Sequence, residues 1–400
     1  MRLATSEVRS RIFAMFIFTL TLVAGCSTPV GTTKRTDDVS LEPAALKAKG
    51  YFFVGGEYLN TSAGKVMSGQ MYVEFRIPRS VTSPYAIVMI HGGGQTATNF
   101  LGTPDGRPGW ADYFLARGYP VYIVDQPARG RSAYHADILG RDTVRSSAER
   151  TEQMFTATAS HNRWPQSQLH SQWPGDTLSK GRIGDPVFDQ FYASQVPWTG
   201  HVRSEEMIKV AGAALLNRIG PAILLTHSQS GPYGWAIADA KPGAVKAIVT
   251  VEPNGPPFKD IDFVGPPEFF KAMRNARDYG LTWTPIMFEP PITNASDLKV
   301  IQEAVPAWQG AIRCWLQDSR SVHKLPNLAR VPVAVVTGEA SFRAGVDHCT
   351  SRFLEQAGVA NTHIRLENLG IHGNGHMMML EKNNLEIARV IHEWIAKNVP

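Results

Sequence analysis

The octapeptide Leu224–Gly231 (LLTHSQSG) sets Ser228 between an apolar run and a stretch, Pro232–Ala240, that can continue as a helix. A serine on a sharp strand-to-helix turn stands clear of the backbone, where its hydroxyl can attack a carbonyl carbon. Such turns usually read G-x-S-x-G, because the positions two before and two after the serine must be small. Here they are Thr226 and Ser230, and the same residues also read as a serine-rich helix cap. A second signal is His91-Gly92-Gly93-Gly94-Gln95, directly after AIVMI at Ala86–Ile90. Glycines let backbone N–H groups turn inward without a Cβ in the way. Donors from Gly93 and Gly94, with the N–H of Gln229, would stabilise the oxyanion of an acyl-transfer intermediate. A phosphate cradle is the rival reading, but the G-x-x-x-x-G-K-[ST] lysine is absent and no G-x-G-x-x-G follows.

The base is sought in Gly370–Met377 (GIHGNGHM), between the last strand-like and the last helix-like stretch. His376 sits at the helix entry and is favoured. His372, with His91 and His227, is assigned a supporting position. A metal reading of the His372/His376 spacing needs helix, which the intervening glycines oppose, and no third ligand lies near. No metal and no organic cofactor are therefore expected. The acid that orients the histidine is open among Glu252, after VKAIVTV, and Glu339 or Asp347, after VPVAVVT.

These residues need a scaffold that brings loop ends together. Gln70–Ile77 alternates apolar and polar residues, as a half-buried strand does. Ala86–Ile90, Pro120–Asp125, Pro221–Thr226, Val245–Val251 and Val331–Thr337 are continuous and rich in β-branched residues, as buried parallel strands are. His363–Leu366 reads as the last strand. Trp110–Arg117 and Asn383–Lys397 read as helices. The alternation implies an α/β fold with a mainly parallel sheet covered on both faces. Two stretches do not fit it, residues 134–195 and 254–328, and are expected to be lid-like insertions. In the second, Glu268–Arg277 and Leu298–Val305 read as short helices, and Leu281–Pro291 (LTWTPIMFEPP) as apolar pocket wall through Trp283, Ile286, Met287 and Phe288. Trp164, Trp173 and Trp198 are left between packing and pocket.

The chain of 400 residues is 43% hydrophobic with a net charge of +5, which excludes global disorder and gives no basic nucleic-acid footprint. Part of that charge is Arg2, Arg9 and Arg11, ahead of the short apolar run Ile12–Val23. With Leu22-Val23-Ala24-Gly25-Cys26 this reads as a lipoprotein-type signal over residues 1–26, with lipid on Cys26. Residues 27–49 read as a flexible tether, and the folded domain as 50–400. The expected location is the cell envelope, as an outer-membrane lipoprotein or in the periplasm. In an oxidising compartment Cys314 and Cys349 are a candidate disulfide.

Several segments together resemble the bacterial esterase 713 family of α/β-hydrolases. They are FFVGG at 52–56, QMYV at 70–73, HG at 91–92, TPDGRPGWADYFLARGY at 103–119 and VDQPARGRSA at 124–133, then HSQSG at 227–231, VEP at 251–253 and HGNGHMMM at 372–379. The resemblance implies an α/β-hydrolase fold and a Ser228–His376–Glu252 triad, with the acid after the earlier of the two strands. The chain departs from the family at Gly93 and Gly94, where the family carries adjacent cysteines. The expected activity is hydrolysis of an apolar or aromatic carboxylic ester through an acyl-enzyme. An amidase, a peptidase or an acyltransferase would use the same residues, and a silent envelope lipoprotein would need none of them.

Overall fold

The computed structural model describes residue 41 and residues 43–400. The proposed leader, Cys26 and most of the tether lie outside the described residues. Eight strands form the central sheet: β1 (Leu46–Thr61), β2 (Gly64–Pro78), β3 (Ala86–Ile90), β4 (Val121–Asp125), β5 (Ala222–His227), β6 (Val245–Val251), β7 (Val333–Thr337) and β8 (Asn361–Arg365). Their order is β1-β2-β4-β3-β5-β6-β7-β8. β1, β2 and β4 pair antiparallel, and the strands from β4 through β8 run parallel.

The apolar runs explain the parallel part. In β3, Ile87 and Met89 enter the core on one face, and Val88 and Ile90 that on the other. β5 divides Ile223 and Leu225 from Leu224, and β7 divides Ala334 and Val336 from Val333 and Val335. A strand buried on both faces has no place for the polar alternation of a surface strand. One face is covered by α1 (Trp110–Ala116) and, at the end of the chain, by residues Asn384–Asn398. The other carries α3 (His201–Ile219), α4 (Ser230–Ala240) and α5 (His348–Gln356), while α2 (Pro186–Ala193) lies in the first insertion. Among the described residues no helix is long and apolar enough to cross a membrane.

Three expectations are corrected. The chain is already in β1 at Leu46, where the ladder to β2 begins, so the tether ends before residue 49. Glu268–Arg277 is not helical: Phe269–Asn275 pairs antiparallel with Lys259–Gly265. Pro266 and Pro267 turn the chain back on itself, and Phe263 meets Phe270 across the ladder, which supplies a strand partner that local propensity does not show. Within Leu298–Val305, Val300–Gln302 likewise pairs with Trp315–Gln317.

Cys314 and Cys349 are joined by a disulfide that ties the second insertion to α5 across a separation of 35 residues. Replacing both cysteines by serine should lower unfolding stability by roughly 2–4 kcal/mol, through the freed loop entropy of the unfolded chain. Denaturant titration of the variant beside the oxidised protein measures this.

Candidate active site

The chain runs from β3 to β4 on one side of β3 and to β5 on the other, so a crevice opens at the carboxyl ends of these strands. The loop His91–Gly94 leaves β3 there, Ser228 follows β5, Glu252 follows β6, and Gly338 follows β7. Ser228 has φ 54° and Glu252 has φ 46°. Left-handed backbone at a non-glycine residue costs about 1–3 kcal/mol and persists where the surroundings over-determine it. At Ser228 they do: its N–H donates to Val251 O (3.0 Å), and its carbonyl accepts from Gly231 N (3.0 Å) and Asn254 N (2.8 Å).

The small residues of the elbow have separate tasks. Ser230 Oγ donates to Ile90 O (2.6 Å) and accepts from His227 N (2.8 Å), locking β3 to the turn. Gly231 carries the close approach, since a Cβ there would stand 2.4 Å from Pro253 Cβ. A Cβ on Gly92 would stand 2.9 Å from His227 Nδ1 and 3.1 Å from Ser228 Cβ. The glycine loop is thus pressed against the serine.

His376 Nδ1 and Glu252 Oε2 are 2.5 Å apart. Glu252 also accepts from Ser341 Oγ (2.5 Å) and from Gly338 N (2.8 Å). The His376 ring lies 4.6 Å from that of His227, the neighbour of Ser228. Ser228 is half-buried, and its Oγ donates to no partner among the described residues. The other candidate acids are engaged elsewhere. Asp347 accepts from Thr337 Oγ1 (2.9 Å), and Glu339 meets the His372 ring (3.2 Å) and accepts from Gly373 N (2.9 Å). His372 is corrected to a surface residue: its side chain is 62% exposed. Among the described residues none accepts from the N–H of Gly93, Gly94 or Gln229.

A family model described as "Alpha/beta hydrolase family" matches residues 87–390. The chain belongs to the alpha/beta hydrolase family. Over 379 residues it is 45% identical to a protein of Fungal sp. (strain ATCC 74256) named "Probable secreted lipase phiG", covering 94% of this chain and 95% of that one. A solved structure described as that of a novel bacterial esterase superposes with a TM-score of 0.61 at 25% identity, over 90% of this chain and 98% of that one.

Burial dominates the electrostatics of this hydrolase. It pushes the His376 imidazole well below its ordinary range, and the Arg343 guanidinium pushes it further. The same two causes, with His376 itself, lower His227. Burial raises the Glu252 carboxyl to about 8, outweighing the Ser341 and Gly338 donors and the Arg343 charge that pull it back. His376 therefore rests neutral, sharing one hydrogen bond with Glu252 through Nδ1. Arg343 holds its place by donating to Gly255 O (2.7 Å) and Asn254 Oδ1 (2.7 Å).

Aromatic residues close around the site, Phe155 and Trp283 of them from the insertions. Phe155, from the first, stacks on His376 at 5.4 Å, and Phe342 covers it at 4.5 Å. Trp198 packs against Gly93 and Gly94. Trp283 stacks on His201 at 4.5 Å, and His201 meets the Gln229 side chain. Ile286 and Phe288 are buried in the core and Met287 is exposed, so that part of the expected pocket wall is packing or surface. Trp164 and Trp173 are core residues too. Sequence patterns missed Ser341, Arg343, Phe155 and His201, which lie on segments without periodicity or at helix starts. VDQPARGRSA did single out the segment of Arg129.

Glu252→Gln keeps the shape but presents an amide to His376 Nδ1. Its turnover should fall by about 10³–10⁴, as for a wrong-tautomer histidine, with the melting temperature little changed. Steady-state kinetics and thermal denaturation on the same preparation check this.

Proposed function

We propose that this hydrolase cleaves carboxylic esters through an acyl-enzyme on Ser228. The observation that carries the reading is the buried His376–Glu252 hydrogen bond, with the His376 ring against His227, the neighbour of a serine held at φ 54°. Ser228 Oγ attacks the ester carbonyl as His376 Nε2 takes its proton. Glu252 keeps the ring in the required tautomer and stabilises the imidazolium that forms. The N–H groups of Gly93, Gly94 and Gln229 receive the oxyanion. Collapse releases the alcohol, protonated by His376. Water, deprotonated by the same ring, then frees the acid and the serine. The residues in these roles require no metal or organic cofactor.

Phe155, Phe342, Trp198 and Trp283 around the site favour an apolar or aromatic ester. Export fits the leader-like residues at the start of the chain and the secreted relative. Lipidation of Cys26 and an outer-membrane location rest on the Cys26 motif alone.

A p-nitrophenyl ester series from acetate to decanoate should be hydrolysed, and a fluorophosphonate should label the protein. Both should be lost in Ser228→Ala. Labelling that persists in Ser228→Ala, or a folded parent that neither labels nor turns over, overturns the reading.

The pH profile follows from His376. Its neutral form is the base, and a lowered pKa keeps that form as the pH falls through 6.5. The acidic limb of kcat/KM set by His376 should therefore lie below pH 6.5. A limb at or above 6.5 would contradict the burial argument.

A further inference from the structure

Arg129 is 2% exposed, and no carboxylate among the described residues forms an ion pair with it. Its Nη1 donates to Gly92 O (3.0 Å), and its Nη2 to Gln229 Oε1 (2.6 Å). One guanidinium therefore bridges the loop after β3 and the residue after Ser228. We propose that Arg129 is a positioning residue that sets both halves of the oxyanion site and holds a positive charge behind it. This rests on the serine-hydrolase reading above.

The peptide plane supplies the mechanism. Gln126 N donates to His91 Nε2 (3.1 Å), so the ring proton is on Nδ1, and Nδ1–H donates to Gly92 O (2.9 Å). Gly92 O thus accepts from both His91 and Arg129. A trans peptide points its C=O and N–H to opposite sides. Pinning the Gly92 carbonyl from two donors aims the Gly93 N–H the other way. At the second half, Arg129 fixes the Gln229 side chain, whose Nε2 meets His201 Nδ1 at 3.3 Å. The residue that offers the second backbone N–H is thus held through both the oxygen and the nitrogen of its side-chain amide.

The surroundings show that the arrangement is built. Ala128, next to Arg129, has φ 61°, a strained backbone of the kind found where a neighbouring group is held for a task. Trp198 covers the guanidinium at 5.7 Å and also packs against Gly93 and Gly94. Burial lowers the Arg129 pKa to about 10, so it keeps its charge at neutral pH. A buried cation without a counter-ion is costly in the resting protein. Its field is compensated when negative charge develops on the substrate oxygen in the same low-dielectric region.

The test compares Arg129→Met and Arg129→Lys with the parent, using p-nitrophenyl butyrate and an alkyl trifluoromethyl ketone. The ketone adds the Ser228 oxygen to its carbonyl carbon, the serine proton passes to His376, and the former carbonyl oxygen becomes an alkoxide in the oxyanion site. Active sites are counted by fluorophosphonate titration, so that misfolded protein does not enter kcat. In Arg129→Met, kcat per active site should fall by about 10², the size of a lost oxyanion donor. KM should stay within about threefold, and the ketone Ki should rise in step with the loss of kcat. Arg129→Lys should recover part of both, and it carries the same comparison if the Met variant does not fold. Unchanged kcat and Ki, or a raised KM with kcat preserved, would overturn the proposal while leaving the serine-hydrolase reading standing. A folded parent inert to both ester and fluorophosphonate would overturn both.

Discussion

Glu252 and His376 meet at 2.5 Å with both side chains almost fully buried, His376 at 2% exposure and Glu252 at 0%. An acid taken out of water needs its donors supplied, and separating such a pair leaves an uncompensated group in low dielectric. Much of the surrounding structure meets that demand. Gly338 must be glycine for the backbone after β7 to reach the carboxylate, since a Cβ there would stand 2.7 Å from Asn374 O. Ser341 supplies a further donor. Ala340 N donates to Asn374 O (2.9 Å), binding this loop to the one that carries the histidine. That loop is clamped in turn by a second buried acid, Glu381, which accepts from Asn374 Nδ2 (2.7 Å) and Gly375 N (3.0 Å) and pairs with His170 Nε2 (2.7 Å). His170 belongs to the first insertion, so the insertion also anchors the loop that carries His376.

A second constraint is the distribution of positive charge. Arg129 and Arg343 are buried, and their short contacts are to backbone carbonyls and side-chain amides. The histidines they face, His91 beside Arg129 and His227 and His376 beside Arg343, are all held neutral, with burial the larger cause in each. Neutral imidazole suits a base that must accept a proton. The Arg129 charge, with no carboxylate ion pair among the described residues, suits a site where the oxygen of the intermediate turns negative. On the proposed mechanism the site is arranged for the charge that appears during reaction rather than for the resting state.

The sheet was legible because its strands are apolar on both faces, a pattern with few other solutions at that length. The turn at Ser228 and the glycine loop were legible because close approach restricts residue type locally, although Gly231 rather than Thr226 or Ser230 proved the tightest point. The acid was not readable from position, since Glu252, Glu339 and Asp347 all follow strands that end at the same edge, and the resemblance alone favoured Glu252. The strand pair at Lys259–Gly265 and Phe269–Asn275 was misread because pairing is non-local, whereas FFKAMRN alone suits a helix. Ser341 lay outside every motif, and the motif at 124–133 marked Arg129 without its role: their partners lie 89 and 100 residues away along the chain, and only the folded sheet joins them.

The central claim is that Glu252, and no other carboxylate, holds the proton on His376 Nδ1. Proton NMR of the resting protein in cold buffer reads that proton directly, because a short imidazole–carboxylate hydrogen bond moves it far downfield of the amide region. The account predicts a resonance of this kind, separate from any given by the buried His170–Glu381 pair, that is lost in Glu252→Gln and His376→Ala and retained in Asp347→Asn and Glu339→Gln. A resonance that survives Glu252→Gln and disappears in either of the other acid variants would contradict it.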